Sequence, residues 1–415
     1  MKKPARKQSK REEAVAGMQL VLPVSEVVRE GLHEFVVGMG LAALTELLER
    51  ERTELCGPAY SRGRSGPQRA GSAPDSLVMG GRKITTRRPR VRKDGHEVPL
   101  SSWSDFAEED PLEQRAVEQM VLGVSTRGYA RSLEAPPEGV VSRGTTRSAV
   151  SRRFVALTQK RLEEWLATDI GELDLAAVMI DGLYIQEHLV LVALGVDESG
   201  TKHVLGLWEG ATESAEVCIA LLSDLIERGL DPHRSLLFVI DGSKALRKAI
   251  REVFGKRALV QRCQQHKRSN LKDYVGEQHW AEVKRRLGDA YNDTSYDRAL
   301  KSLKTTARWL DRISPDGAAS LREGMEETLT VIKVGIEDEW LRRTLSTTNP
   351  IESAISVART VTGRVKRWRD GNMRKRWCAA GLLRAEQKFR RIKGHRHLPA
   401  LAEALEAIVA KRIDV

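Results

Sequence analysis

Two aspartates stand at matching positions behind apolar runs of the sequence. The run AVMIDG contains Asp181 and the run FVIDG contains Asp241, and glycine follows each aspartate at once. Both runs predict buried strands, so each carboxylate should lie at the C-terminal end of a strand, where ligands bind in open α/β folds. The alternative for each Asp-Gly pair is a turn that merely ends the strand. Two pairs at equivalent strand ends favour a site.

Metal binding is the chemistry that suits this pair. Asp181 and Asp241 are 60 residues apart, so they meet only if their strands are neighbours, which a β-meander followed by one crossover achieves. Two carboxylates at the ends of neighbouring strands would be close enough to repel each other, and they need a proton or a cation between them. A divalent hard ion with oxygen ligands is suitable. A third carboxylate would complete a site that holds two ions and drives in-line attack at a phosphate.

Glu352, in the stretch TTNPIESA at residues 347–354, is the candidate third carboxylate. Asn349 at the N-cap, Pro350 at the first helical position and Glu352 at the third form the pattern of a capping box, which would make the glutamate structural. Alternatively, Asn349 caps the helix unaided and Glu352 turns toward the aspartates. The residues that would share the helix face of Glu352 and meet a phosphate backbone are Ser356, Arg359 and Gly363.

The elements around the aspartates predict an α/β fold with a mixed sheet covered by helices. From residue 174 the order is βββ-α-β-α-β-α, with the first three strands in DLAAVMID, HLVLVALGVDESG and TKHVLGLWEG. The first helix should stop at Gly229. Residues 277–345 contain no convincing strand and predict an all-helical insertion before the Glu352 helix.

The first 172 residues contain helical patterns and one β-rich region. A helix is predicted over residues 25–53, then a flexible basic loop in SRGRSGPQRAGSAP, then two or three short strands. DPLEQRAVEQMVLG, STRGYARSLE and a stretch that starts near Thr146 predict three more helices. These three resemble a helix-turn-helix module, and the alternative is a helical bundle with a basic rim. In the module, the residues that would face DNA are Ser148, Ser151, Arg152 and Arg153.

Charge indicates a polyanionic partner. The 415 residues, enough for two to four domains, carry a formal charge of +12 and a pI of about 9.6. Residues 364–397 hold 13 Lys/Arg against two acids, and residues 61–93 hold ten against one. Trp368 and Trp377 in the first of these stretches suit either base stacking or a small helical core. The sequence lacks a membrane span and a signal peptide, and its four scattered cysteines predict free thiols in a cytoplasmic protein.

The motifs together resemble the Mutator-type transposases of bacterial insertion sequences. GGRKITTRRPRVR, GVSTRGY, MIDG, VIDGSKALRKAI, QRCQQHKRSNL, STTNPIESA and RVKRWRDGNMRKRWCAAGLLRAEQKFRR occur in the family's order, and the resemblance covers most of the chain beyond residue 25. It implies an RNase H-like catalytic core with a DDE triad at Asp181, Asp241 and Glu352. It also implies two Mg2+ ions, which Mn2+ can replace, and double-stranded DNA as inverted-repeat ends and as target. A homodimer or higher oligomer would form on DNA.

The resemblance extends to accessory residues. Cys263 and His266 match a C-x2-H signature after the second aspartate, and Asn349 precedes the triad glutamate. Half of a zinc site, a supporting or DNA-contact role for His266, and a packed cysteine beside a surface histidine remain alternatives. Trp309 lies in the helical insertion, where it either packs or stacks on DNA. The residues expected to contact DNA are Arg152, Arg153, Trp309, Arg359, Lys366 and Arg367.

The sequence therefore predicts a DNA transposase that cleaves the element's ends and transfers the 3′-hydroxyl into target DNA. The alternatives are an RNase H-like nuclease that does not join strands and a non-catalytic DNA-binding regulator on the same fold. Neither a membrane nor a nucleotide cofactor is expected, since no GxxxxGK[ST] motif is present. The predicted regions are a disordered basic tail (1–24), a helix, basic loop and small β region (25–108), a helix-turn-helix-like region (109–172), the core (173–276), the insertion (277–346), the last core helix (347–366) and a basic helical C-terminal region (367–415).

Overall fold

The computed structural model describes residues 32–60, 66–79, 81–108, 113–129, 133, 139–144 and 146–413. The chain divides into two compact units, Met1–Phe154 and Val155–Val415. The predicted basic tail, and residues 25–31 of the first predicted helix, lie outside the described residues. Within those residues, no helix combines the length and the apolar character needed to cross a bilayer.

The first unit packs a helix on a small antiparallel sheet. Helix α1 (Leu32–Cys56) precedes strands β1 (Gln68–Met79), β2 (Arg82–Lys93) and β3 (His96–Val98). Leu44 and Leu48 of α1 pack with Leu77, Ile84 and Val91 of the strands in one core. The remaining elements of this unit are α2 (Ser101–Glu108), α3 (Glu113–Val121), β4 (Ser142–Gly144), which pairs with β2, and the start of α4 (Arg147–Leu166).

Two expectations for this unit are wrong. The flexible basic loop is a strand from Gln68 onward, since β1 pairs with β2 along its whole length except at a register shift between Arg69 and Ser72. Gly71, with φ +70°, lies inside this irregularity and provides its backbone conformation. For residues 68–74 the loop-like composition was thus the signature of a β-bulge, and residues 61–65 of the predicted loop lie outside the described residues.

The second helix of the predicted helix-turn-helix does not begin at Ser125 as expected, and residues 130–132 and 134 of it lie outside the described residues. Residues 126–128 form a turn, in which the Gly128 N–H lies 2.9 Å from the Ser125 carbonyl oxygen and 3.1 Å from the Ser125 hydroxyl. A serine that bonds to the local backbone competes with helix formation, and glycine adds to the cost. The third helix, α4, does begin where predicted, because Thr146 Oγ1 accepts the Ala149 N–H at 3.3 Å.

The second unit is built on a five-stranded mixed sheet, as predicted. Its strands are β5 (Leu175–Ile185), β6 (His188–Asp197), β7 (Lys202–Gly210), β8 (Leu236–Ile240) and β9 (Ala258–Arg262). Their order across the sheet is β7-β6-β5-β8-β9. Strands β5, β6 and β7 are antiparallel neighbours, whereas β8 and β9 run parallel to β5. The predicted turn between β6 and β7 is present, with Gly200 at φ +84°.

The helices of this unit follow the predicted order. Ser214 caps α5 (Ala215–Glu227), which stops before Gly229 at φ +103°, and α6 (Lys244–Phe254) and α7 (Gln264–Tyr274) follow the next two strands. Residues 277–345 are helical throughout, without a strand. The later helices are α8 (Glu277–Asn292), α9 (Tyr296–Leu310), α10 (Pro315–Arg322), α11 (Thr330–Lys333), α12 (Glu339–Leu345), α13 (Asn349–Thr362), α14 (Gly371–Glu386) and α15 (Leu398–Ile413).

Each face of the sheet has its own hydrophobic core, because side chains alternate along a strand. Val178 and Ile180 of β5 face a cluster that contains helices α5 and α6. Met179 faces the opposite cluster, which also contains α13, α14 and the helices of the insertion. The helical insertion therefore shares the core of the sheet, which fixes α13 above the strand that carries Asp181.

Helices α13 and α14 approach closely at Gly381. A Cβ atom at this glycine would lie 2.6 Å from the Ala358 Cα atom, which is closer than carbon atoms pack. Gly381 is buried and Ala358 is 0% exposed. The absence of a side chain at residue 381 thus sets the position of the helix that carries Glu352.

We predict that Gly381→Ala lowers the free energy of unfolding by about 1–3 kcal/mol, because the added methyl group forces the two helices apart. Gly288→Ala is the matched control. A Cβ atom at Gly288, also inside a helix, meets nothing within 4 Å, so alanine should stabilise the protein by about 0.5–1 kcal/mol. Urea unfolding followed by circular dichroism measures both variants. Equal effects of the two substitutions would contradict the close approach.

Candidate active site

Asp181 and Asp241 follow directly on the last paired residues of two neighbouring parallel strands. The pairing of β5 with β8 ends at Ile180 and Ile240, so the next residue on each strand is an aspartate. The predicted adjacency of the two strands is confirmed. Both aspartates extend from the same end of the two strands, and the side chain of Asp181 alternates to the face of β5 that α13 contacts.

Asp181 is not, however, at the end of its strand, which corrects the sequence-based expectation. Strand β5 continues to Ile185 and pairs there with β6 alone. Strand β8 does stop, because the chain turns away at Gly242 with φ +116°. A Cβ atom at Gly242 would lie 2.0 Å from Arg262 Nε, so glycine is required for both the conformation and the space. The departure of β8 leaves Asp181 without a strand neighbour on that side.

Backbone N–H groups hold one oxygen of each aspartate. The Gly182 N–H donates to Asp181 Oδ1 at 2.8 Å, and the Ser243 N–H donates to Asp241 Oδ1 at 2.9 Å. Ser243 in turn accepts the Leu246 N–H and caps α6. The glycine and serine that follow the aspartates thus orient the carboxylates as well as shape the turns.

Glu352 lies in the first turn of α13, but the capping differs from the predicted capping box. The N-cap is Thr348, one residue before Asn349, since the Thr348 carbonyl accepts the Glu352 N–H at 2.9 Å. Asn349 is already the first helical residue and is exposed, with Pro350 next. The Glu352 carboxylate accepts a hydrogen bond from the Thr348 hydroxyl at 2.5 Å and not from the Asn349 backbone.

Cys263 and His266 lie beside this glutamate. Cys263 is the N-cap of α7, and its Sγ accepts the backbone N–H groups of His266 at 3.5 Å and Thr348 at 3.4 Å. His266 Nε2 lies 3.8 Å from Glu352 Oε1. In the described ranges, Cys263, His266 and Glu352 are the only three potential ligands whose donor atoms all lie within 4.8 Å of one another. The two aspartates are outside this group, so the glutamate faces the Cys-His pair in this structure.

Charge nevertheless couples the glutamate to the aspartates. The pKa of Asp181 is raised to about 6, mainly by burial and also by the negative charges of Asp241 and Glu352, while the hydrogen bond from the Gly182 N–H and the charge of His266 oppose this increase. The hydrogen bond to Cys263 raises the pKa of His266 to about 9, and the charges of Glu352 and Asp241 act in the same direction. The three carboxylates therefore carry more negative charge than the His266 imidazolium balances.

The remaining predicted residues of α13 share an exposed face. Ser356, Arg359 and Gly363 are exposed one, two and three turns after Glu352. Lys366 and Arg367 are exposed after the helix. This face carries positive charge next to the carboxylates.

Not every cation of the C-terminal basic stretch is available to a ligand. Arg374 and Arg376 are 9% and 7% exposed. Arg374 donates to Glu209, and Arg376 donates to Thr158 Oγ1 at 3.0 Å. Trp368 packs against the core, as in the core alternative. The prediction that this stretch grips DNA is therefore wrong for the two buried arginines.

Trp309 is a packing residue in this structure. It is half-buried against the core, with the Arg286 guanidinium 4.6 Å from its ring centroid and His279 at its edge. A role in stacking on DNA stays a prediction. In the first unit, Arg152 is exposed and Arg153 half-buried, and both line a cavity of about 190 Å³ with Tyr129.

Thr348 is the residue that sequence reasoning missed. Its hydroxyl contacts Glu352, Cys263 and His266, and the residue is 0% exposed. The signal was a hydroxyl four residues before the glutamate, which places it one helical turn away.

The profile of the family described as "Transposase, Mutator family" matches residues 16–370. The chain belongs to the Mutator family of transposases. The match confirms the resemblance inferred from the motifs, and it covers both aspartates, the glutamate and the Cys-His pair.

Curated relatives agree with this membership. A transposase for insertion sequence element IS6120 of Mycolicibacterium smegmatis is 27% identical over 246 residues, which cover 58% of this chain and 73% of the relative. A probable transposase for an ISRM3-like element of Sinorhizobium fredii is 26% identical over 337 residues, or 77% and 76% of the two chains. The transposase for element ISRM3 of Rhizobium meliloti is 27% identical with the same coverage.

We predict that Asp181→Asn stabilises this Mutator-family chain near pH 7.5 in metal-free buffer. Because the pKa of Asp181 is raised, the unfolded chain releases this proton at lower pH than the folded chain, and stability is lost as the pH rises from about 4 to about 6. The substitution should therefore increase the free energy of unfolding by about 1–3 kcal/mol at pH 7.5 and have little effect at pH 4.

Asp197→Asn is the control of opposite sign. Burial alone would raise the pKa of Asp197, but hydrogen bonds from His203, Ser199 and Thr201 outweigh it and lower this pKa. Asparagine should therefore destabilise the folded protein at pH 7.5. Urea unfolding with EDTA at the two pH values measures both variants, and a less stable Asp181→Asn protein at pH 7.5 would contradict the electrostatic account.

Proposed function

We propose that this chain is a DNA transposase in which Asp181, Asp241 and Glu352 bind the divalent metal ions of the active site. The observation that carries the proposal is the end of the β5–β8 pairing at Ile180 and Ile240, which leaves two aspartates side by side under the helix of Glu352. Membership of a transposase family supplies DNA as the substrate.

An RNase H-like core is part of this proposal. Counted along the chain from β5, the sheet order is 3-2-1-4-5, with three antiparallel strands followed by two parallel ones. The carboxylates lie on the central strand, on its neighbour and on a helix across the face. This order supports the fold expected from the family resemblance.

The residues fit a divalent cation. Three carboxylates offer hard oxygen donors, and the raised pKa of Asp181 reflects burial and two negative neighbours whose repulsion a cation would relieve. Bound Mg2+ or Mn2+ would supply charge neutralisation at the phosphate and a lowered pKa for the attacking water or 3′-hydroxyl. The chain itself supplies the orientation, through the Gly182 and Ser243 N–H groups that hold the aspartates.

DNA would approach along the exposed face of α13. Arg359 is exposed on this face, Lys366 and Arg367 are exposed just after the helix, and all three would neutralise phosphates without reading sequence. The relatives are described as transposases of insertion sequence elements, so the DNA proposed here is the pair of inverted-repeat ends and a target duplex. Joining two ends needs two active sites, which makes a dimer the smallest active assembly.

Cleavage and joining assays with Glu352→Gln test the proposal. Wild-type protein with Mg2+ or Mn2+ and DNA that carries the element's ends should yield both cleaved and joined products. The rates of cleavage and of joining should both be about 1000-fold lower in the variant, or lower still, while its affinity for end DNA is retained. Cleavage without joining would instead identify a nuclease. Wild-type binding without cleavage would identify a regulator and overturn the enzymatic proposal.

Salt dependence of DNA binding tests the role of Arg359. If Arg359 contacts one phosphate, Arg359→Ala should reduce the slope of log K against log salt by about 0.9. Lys256→Ala removes the same charge from an exposed residue at the opposite edge of the sheet, before β9, and should leave the slope unchanged. Fluorescence anisotropy with labelled DNA measures both slopes, and equal slopes for the two variants would exclude the proposed DNA path.

A further inference from the structure

Thr348 links the separate elements of the candidate site. Its backbone N–H donates to Cys263 Sγ at 3.4 Å, and its hydroxyl donates to Glu352 Oε1 at 2.5 Å. Cys263 in turn donates its backbone N–H to the Ile240 carbonyl at 2.7 Å. Ile240 immediately precedes Asp241. A continuous path of three hydrogen bonds thus connects the backbone of one proposed ligand to the carboxylate of another.

Hydrogen-bond geometry assigns the Thr348 hydroxyl proton to Glu352. A threonine hydroxyl has one proton, and the distance of 2.5 Å to Glu352 Oε1 is much shorter than 3.4 Å to Cys263 Sγ and 3.3 Å to His266 Nδ1. Thr348 is 0% exposed, so water does not replace this donor. One glutamate oxygen is therefore fixed by the protein.

The same hydroxyl argues against a zinc site between Cys263, His266 and Glu352. Their donor atoms have suitable spacing, within 4.8 Å. Thr348 Oγ1 lies within 3.4 Å of a donor atom of each of the three residues. The hydroxyl therefore lies among the atoms that would have to surround an ion, and it already bonds to the glutamate.

We propose that Thr348 is a positioning residue for Glu352: its hydroxyl holds Oε1 so that Oε2 is the oxygen presented to the metal ions. This inference rests on the proposed function, in which Glu352 is a metal ligand. The hydrogen bond from the Thr348 backbone N–H to Cys263 fixes the Thr348 hydroxyl relative to β8. The orientation of Glu352 is therefore fixed relative to the strand that Asp241 follows. Cys263 and His266 support the hydroxyl and do not themselves bind metal.

Mn2+ titration of the DNA-free protein, followed by electron paramagnetic resonance, tests this role independently of catalysis. Thr348→Val removes the hydroxyl at nearly constant volume and should weaken Mn2+ binding by about 10–100-fold, the usual effect of losing a group that orients a metal ligand. Thr348→Ser keeps the hydroxyl and should bind Mn2+ nearly as wild type does. Thr348→Ala repeats the deletion if the valine variant does not fold.

Thr306→Val is the matched control. Thr306 is 1% exposed, and among the residues that the structure describes its hydroxyl bonds only to the Ser302 carbonyl, at 2.9 Å within α9. Both valine variants lose a buried hydroxyl and should shift the thermal midpoint in metal-free buffer. Only the variants at residue 348 that lack a hydroxyl should change the Mn2+ affinity.

The possible results separate the inference from the proposed function. Unchanged Mn2+ affinity in folded Thr348→Val and Thr348→Ala would overturn the positioning role, even if the wild type cleaves DNA. Weaker Mn2+ binding in these variants would support it, even if the wild type failed to cut or join DNA. A wild type that binds no Mn2+, or that holds one Zn2+ lost on Cys263→Ser, would also overturn it.

Discussion

The candidate site depends on where one pair of parallel strands stops pairing. Strands β5 and β8 are bonded up to Ile180 and Ile240, and only β5 continues. Two carboxylates must therefore lie next to each other at a sheet edge from which one strand has just turned away. That turn requires glycine at residue 242, because its φ is positive and because Arg262 leaves no space for a Cβ atom. The insertion shares the core of the sheet, and its packing holds the helix of the third carboxylate over the same edge.

This arrangement stores electrostatic repulsion in the folded chain. The raised pKa of Asp181 expresses the cost of placing a buried carboxyl group near two others. Backbone N–H groups, His266 and the Thr348 hydroxyl reduce the cost without removing it. A site that is unfavourable alone and favourable with a cation is expected where function is selected at the expense of stability. The raised pKa of Asp181 is therefore consistent with the proposed cation site.

The sequence predicted the elements of the second unit well because their patterns are unambiguous. AVMIDG and FVIDG contain buried strands, and Gly229 follows the end of a helix where expected. It failed where a local pattern has two outcomes. The sequence around Gly71 suggested a loop but forms a β-bulge. Ser125 and Gly128 form a turn where a helix was predicted to begin. The residue that caps α13 is Thr348 instead of Asn349. The buried arginines of α14 and the contacts of Thr348 with Cys263 and His266 depend on partners more than 80 residues away, which no local pattern reveals.

The central claim is that Asp181, Asp241 and Glu352 hold the metal ions. The most direct measurement is a crystal structure of the protein with Mn2+ and end DNA, with anomalous diffraction recorded at the manganese edge. The account predicts anomalous peaks bonded to oxygens of all three carboxylates, with Glu352 Oε1 still bonded to Thr348. Manganese coordinated by Cys263 and His266, or peaks that exclude either aspartate, would contradict it.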